Sequence, residues 1–169
     1  MCSSDLFHFV NPIQSGIGGV DETQLAIAIR EINFNKKGLW MMEGNNFYIS
    51  NYIIMQGAST INSTNTYPNT ALWRKFDKDG KYESIYNRYC HVRALISNNF
   101  MDDKFQLVQP DVIQINLQPD DLAVLNVDYI VTKNDLSKFN SNNISFKEKY
   151  SDAYYKIFEV ERIFDTNAK

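Results

Sequence analysis

YNRYCHVRALI, Tyr86 to Ile96, sets a guanidinium, a thiol and an imidazole in one short run, and its reading decides how the chain folds. From Tyr89 onward two sets of residues alternate: Cys90, Val92, Ala94 and Ile96 on one side, Tyr89, His91, Arg93 and Leu95 on the other. Successive side chains of a strand point to opposite faces, so a period of two predicts a β-strand with one mostly apolar face. Cys90 then belongs to the interior as a small hydrophobe, and His91 to the wetter face. A Cys/His nucleophilic pair needs thiolate and imidazole within hydrogen-bond reach, which neighbours on a strand cannot achieve.

Working outward, FQLVQ (Phe105 to Gln109) and DVIQINL (Asp111 to Leu117) keep the strand rhythm. Pro110 between them marks an edge or a bend. VDYIVTK (Val127 to Lys133), FKEKY (Phe146 to Tyr150) and YYKIFEV (Tyr154 to Val160) read as further strands, with Ser151-Asp152 in a turn between the last two. Upstream, LWMME (Leu39 to Glu43) is a buried strand, and FYISNYIIMQG (Phe47 to Gly57) reads as a strand running into a short helix.

A first helix begins with Asp21 as N-cap and Gln24 closing a capping box. Leu25, Ile29 and Ile32 form its buried stripe and Gly38 ends it. Pro68 opens a short helix carrying Leu72, Trp73 and Phe76, Pro119-Asp120-Asp121 opens another through Asn126, and NDLSKF (Asn134 to Phe139) is a helical turn. Ala58 to Asn69, ASTINSTNTYPN, is too rich in Ser, Thr and Asn for a core. The order predicts the α/β (α+β) class: one layered domain with a mixed β-sheet and short helices packed on it. Residues 1–19, including the hinge-like GIGG run from Gly16 to Gly19 and Asn11-Pro12, read as an N-terminal linker. Residues 20–164 read as the globular domain and 165–169 as a tail.

At 169 residues one domain is expected, and 44% hydrophobic with 22% charged residues excludes wholesale disorder. A net charge of -3, with no basic run longer than Lys36-Lys37, argues against nucleic acid. Every apolar run is too short to span a bilayer, and Met1-Cys2-Ser3-Ser4-Asp5 does not read as a signal peptide. Two cysteines, Cys2 and Cys90, and two histidines, His8 and His91, give no zinc spacing. Asp77-Lys78-Asp79-Gly80 has the opening of a calcium loop without its third acid, so a solvated turn is expected. Neither metal nor cofactor is expected.

The residues that invite a ligand are Asn62, Asn65, Tyr67 and Trp73 together with Asn87, Arg88 and His91. Amides, flat rings and a guanidinium suit a sugar or phosphosugar. The competing reading, given the greater weight, is that the same residues tie a long loop onto a sheet by satisfying its backbone groups.

NPIQSG, LWMME, MQGASTINSTNTYPNTALWRKFD (Met55 to Asp77), IYNRYCHV, QPDVIQINL and LNVDYIVTK occur in an order that resembles the C-terminal soluble region of one group of proteins. These are large polytopic membrane proteins of low-GC Gram-positive bacteria, themselves similar to GT-C type glycosyltransferases that use lipid-linked sugars. The resemblance runs from about Asn11 to Val160 and implies a soluble domain on the extracytoplasmic face of the cell membrane. Its implied partners are the transmembrane part of the same polypeptide and a cell-wall glycan or lipid-linked sugar. Catalytic acids are expected among the membrane helices of such a parent, so this domain is expected to be non-catalytic and to assist glycan or acceptor binding or assembly. Two rivals stay open: a secreted hydrolase using His91 with an acid such as Asp111, and a lipid-anchored carbohydrate-binding module attached through Cys2.

Overall fold

A computed structural model describes residues 18–99, 103–141 and 143–163. The expectations placed on Cys2, His8, Asn11-Pro12, Gly16 and residues 165–169 lie outside these. The chain runs α1 (Gly18–Asp21), α2 (Gln24–Asn35), β1 (Leu39–Met42), α3 (Phe47–Met55), β2 (Ser59–Thr60), β3 (Thr64–Asn65), α4 (Thr70–Trp73) and α5 (Glu83–Tyr86). It continues with β4 (Cys90–Ile96), β5 (Phe105–Gln109), β6 (Val112–Leu117), α6 (Asp121–Leu125), β7 (Tyr129–Thr132), a 3-10 turn (Ser137–Phe139), β8 (Ile144–Ser151) and β9 (Lys156–Arg162). The mixed α and β class is the one the sequence pattern predicts. The strands divide over two sheets, ordered β2-β1-β7-β9-β8 and β3-β4-β6-β5.

In the five-stranded sheet β1 lies parallel to both β2 and β7, and β7-β9-β8 close it antiparallel. In the four-stranded sheet β4 is parallel to β6, and β5 forms the edge, joined to β6 across Pro110-Asp111. The pleat then sorts the side chains. Met41, Ile130, Phe158 and Val160 face Cys90, Val92, Ala94, Ile113 and Ile115 in one interior between the sheets. Trp40, Met42, Tyr129, Val131 and Ile157 point the other way and are covered by Leu25 and Ile29 of α2 and Ile53 of α3. The sheets are stitched directly where the chain leaves β1: the Gly44 N–H donates to the Ala94 carbonyl at 2.8 Å, while Glu43 N–H donates to Val131.

The alternation in β4 is complete, with Cys90, Val92, Ala94 and Ile96 buried and the residues between them half-buried. Three local expectations change. Phe47–Met55 is helix from its first residue, because Ser50 and Ile53 turn inward at a spacing of three, which only a helix places on one face. The helix α2 is capped by Thr23 rather than Asp21: the Thr23 hydroxyl accepts from Ala26 N–H at 3.1 Å, and its C-cap is Lys36 rather than Gly38. The polar run after Ala58 is partly interior, since Ala58, Ile61 and Asn62 are buried. No helix of the described residues is long and apolar enough to cross a membrane.

Candidate functional site

Of the seven residues singled out from sequence, the six whose side chains are described do not assemble into one pocket. Asn62 is 1% exposed, and its amide bonds both backbone groups of Met42: Oδ1 accepts from Met42 N–H at 2.9 Å and Nδ2 donates to Met42 C=O at 2.7 Å. It prolongs the β1 ladder with a side chain, which is how so polar a loop can enter a core. Trp73 is interior, its ring meeting Phe105 edge-on at 6.1 Å. Asn87 caps α5, with its N–H on Glu83 C=O, and Arg88 donates to the Ser84 carbonyl. Tyr67 stands in solvent, and Asn65 lies on β3 opposite Cys90.

His91 is held in a chain of hydrogen bonds. Its Nδ1 lies 2.9 Å from Thr64 Oγ1, which accepts from Asn51 Nδ2 at 2.8 Å. Asp111, the acid expected to assist it, meets His91 through a backbone carbonyl that accepts the His91 N–H at 2.7 Å. That contact builds a strand, not a general acid–base pair. Cys90 is sealed inside, and burial pushes its thiol up to about 11, so it is neither a nucleophile nor in contact with the outward imidazole. Asp77 is a buried turn residue whose carboxylate accepts the Tyr82 N–H at 2.9 Å. Among the described residues no group of three or more His, Cys, Asp and Glu side chains could hold a metal ion.

Among the described residues a cleft with more chemistry lies elsewhere, at the carboxyl ends of β1 and β7. These strands are parallel neighbours, yet β1 continues through α3 on one face and β7 through the 3-10 turn on the other. Diverging connections leave a crevice beyond the strand ends, where open α/β sheets take ligands. About 430 Å³ is enclosed there by Glu43, Gly44, Asn45 and Asn46 after β1, Lys133 and Asn134 after β7, and Tyr48 and Leu95 at the side. Gly44 has φ +114, a turn that a side chain would strain.

Glu43 anchors this cleft. The residue is 4% exposed, and Oε2 accepts from the Thr132 hydroxyl and from Asn134 Nδ2 at 2.8 Å. Oε1 makes no hydrogen bond, and the group has no cationic partner, among the described residues. Asn46 Nδ2 is fixed by donating to the Tyr155 hydroxyl at 2.9 Å, and Lys133 Nζ sits 5.2 Å over the Tyr155 ring. The cleft thus offers one carboxylate, amides, an ammonium and an apolar wall. None of the seven sequence-derived candidates lines it. EGNN after LWMM and TKN after VDYIV are visible as strand ends, but nothing in the text says those two strands are neighbours.

A family model described as a domain of unknown function (DUF7654) matches residues 19–163. No curated protein and no solved structure matches the chain.

Proposed function

The chain belongs to the DUF7654 family, and from that premise we propose that it is a non-catalytic binding domain, held on the extracytoplasmic side of a glycosyltransferase-like membrane protein, that grips a hydroxyl-rich glycan or acceptor in the β1/β7 cleft. The observation that carries this reading is the Glu43 carboxylate, fixed through Oε2 by Thr132 and Asn134 and with no hydrogen bond to Oε1 among the described residues. A fixed acceptor beside amides and an apolar wall is the chemistry that orients sugar hydroxyls. Glycoside hydrolysis uses two carboxylates facing each other across the scissile bond, and Glu43 is the one acid among the described residues that line this cleft. Binding without bond cleavage therefore fits the lining better than hydrolysis. The membrane attachment rests on the resemblance of Met55 to Asp77 and of IYNRYCHV described above.

Titration of the labelled domain with neutral mono- and disaccharides, followed by amide chemical shifts, tests the cleft. The amides of Gly44, Asn45, Asn46 and Asn134 are expected to move, and Glu43→Gln, which keeps the shape and removes the charge, is expected to weaken binding about tenfold. A panel of sugars that leaves these amides unmoved, or a Glu43→Gln variant that binds as the parent does, overturns the reading. Topology reporters fused after residue 163 of the full-length parent protein test the extracytoplasmic placement separately.

A further inference from the structure

We propose that the outer face of the four-stranded sheet holds a second site, centred on Arg93, that binds an oxyanion: a phosphate or carboxylate group carried by a ligand. The proposal stands apart from the glycan reading of the β1/β7 cleft, because its argument is the hydrogen-bond balance of a different set of side chains.

Arg93, Gln114 and Gln106 lie in one row, directly opposite one another across β4, β6 and β5. Adjacent strands are about 4.8 Å apart, so the three long polar side chains touch along the row. Each side-chain carbonyl oxygen in and beside the row already accepts one hydrogen bond. Gln114 Oε1 takes Arg93 Nη1 at 3.4 Å, and Gln114 Nε2 donates to Asn116 Oδ1 at 2.9 Å and to Gln106 Oε1 at 3.4 Å. Asn116 Nδ2 is turned to the Asp103 carbonyl at 2.9 Å. Among the described residues Arg93 Nη2 and the Gln106 amide nitrogen donate no hydrogen bond. A guanidinium edge beside an amide N–H suits a ligand group rich in acceptors.

Charge points the same way. Arg30, Arg74 and Arg162 each lie against a carboxylate, of Asp21, Glu83 and Asp128 respectively. Arg88 is occupied by the Ser84 carbonyl. Arg93 alone among the arginines of the described residues has no better partner than one long bond to a neutral amide. It is half-buried between His91 and Leu95, and its Nε, like those of Arg88 and Arg162, is buried without a hydrogen-bond partner among the described residues. A desolvated guanidinium left this short of acceptors is costly to the ligand-free protein, and a planar oxyanion placed against its fork recovers the loss. The row lies one step along β4 from Leu95, which also walls the β1/β7 cleft. Two residues of strand are about 6.6 Å, so one ligand can present hydroxyls to the cleft and an anionic group to Arg93.

The experiment titrates the folded domain at constant ionic strength with inorganic phosphate, glucuronate, glucose 1-phosphate and, as the uncharged control, glucose. The Arg93 Nε–Hε signal and the side-chain amides of Gln106 and Gln114 are read by NMR. The three anions are expected to shift these signals with saturation in the millimolar range, and glucose is not. Arg93→Gln is expected to weaken the anions about tenfold or more while leaving the Gly44–Asn46 response to neutral sugars unchanged. Gln106→Ala, on the edge strand, is expected to weaken them about threefold, and serves if Arg93→Gln does not fold. Vesicles with and without phosphatidylglycerol separate a lipid phosphate from a soluble one, and a stronger response to either identifies the source. Shifts equal for glucose and the anions, no shift with any anion, or undiminished anion binding by a folded Arg93→Gln overturns the proposal. Failure of Glu43→Gln to affect neutral sugars would sink the cleft reading and leave this one standing.

Discussion

A thiol one residue from an imidazole invites a catalytic reading, and the fate of Cys90 shows why geometry must come first. Its side chain is 1% exposed and unpaired in a disulfide, and burial raises its pKa from 9.0 to about 11. The unfolded chain therefore loses this proton first. Between those two values the native state binds more protons than the unfolded state, so the contribution to stability is full below pH 9 and falls as pH rises towards 11. Urea midpoints measured along this range should decline, and Cys90→Ala should flatten the part of the decline that precedes tyrosine ionisation. Superimposable profiles would mean the thiol is not the group responsible. Asn62 makes the complementary case. Removing its amide leaves the N–H and C=O of Met42 without partners in the interior, so Asn62→Ala should cost on the order of 2–4 kcal/mol. A urea titration showing less than about 1 kcal/mol would mean that Asn62 is not the tie described.

At the scale of elements, the junction of α2 with β1 is the tightest point. A Cβ on Gly38 would come within 2.7 Å of Tyr129 Cε2 and 2.8 Å of Asp128 Cβ. Asp128 is itself committed there: Oδ2 accepts the Leu39 N–H at 2.9 Å, and Oδ1 meets Arg162 at 3.3 Å. The neighbours are backbone-proximal and a ring packed on Trp40 at 4.8 Å, so they cannot swing aside. Gly38→Ala should destabilise by roughly 1–3 kcal/mol, read as a lowered thermal midpoint. Gly19→Ala, with nothing within 4 Å of the new Cβ, should leave that midpoint unchanged or slightly higher. A Gly38→Ala midpoint no lower than that of Gly19→Ala would show that the close approach carries no cost.

At the scale of the whole molecule the two sheets of the described residues share one apolar interior, and β1 contributes to both hydrophobic clusters through alternate residues. Unfolding one sheet exposes the inner face of the other, which argues for a single cooperative transition. The two tryptophans of the chain report on the two clusters separately, Trp73 between the sheets and Trp40 under the helices. Trp40→Phe and Trp73→Phe each leave one reporter. In each variant the fluorescence midpoint should coincide with that of far-UV circular dichroism. Separated midpoints would mean that the helical layer or the second sheet melts alone.

What the amino-acid order determined by itself is local: the inward thiol, the outward imidazole, the bend at Pro110 and the strands from Val127 onward. Each depends on a period of two or on a residue that restricts its own backbone, and both are properties of contiguous text. Phe47–Met55 escaped because its residues are apolar nearly throughout, and an unbroken apolar run shows neither period. The two sites needed the tertiary structure. Glu43 meets Asn134 only because β1 and β7 became parallel neighbours, and Arg93 meets Gln114 only because β6 settled beside β4 rather than β5 doing so. Strand order is decided by how whole faces bury one another, a sum over the molecule that no single stretch of sequence contains.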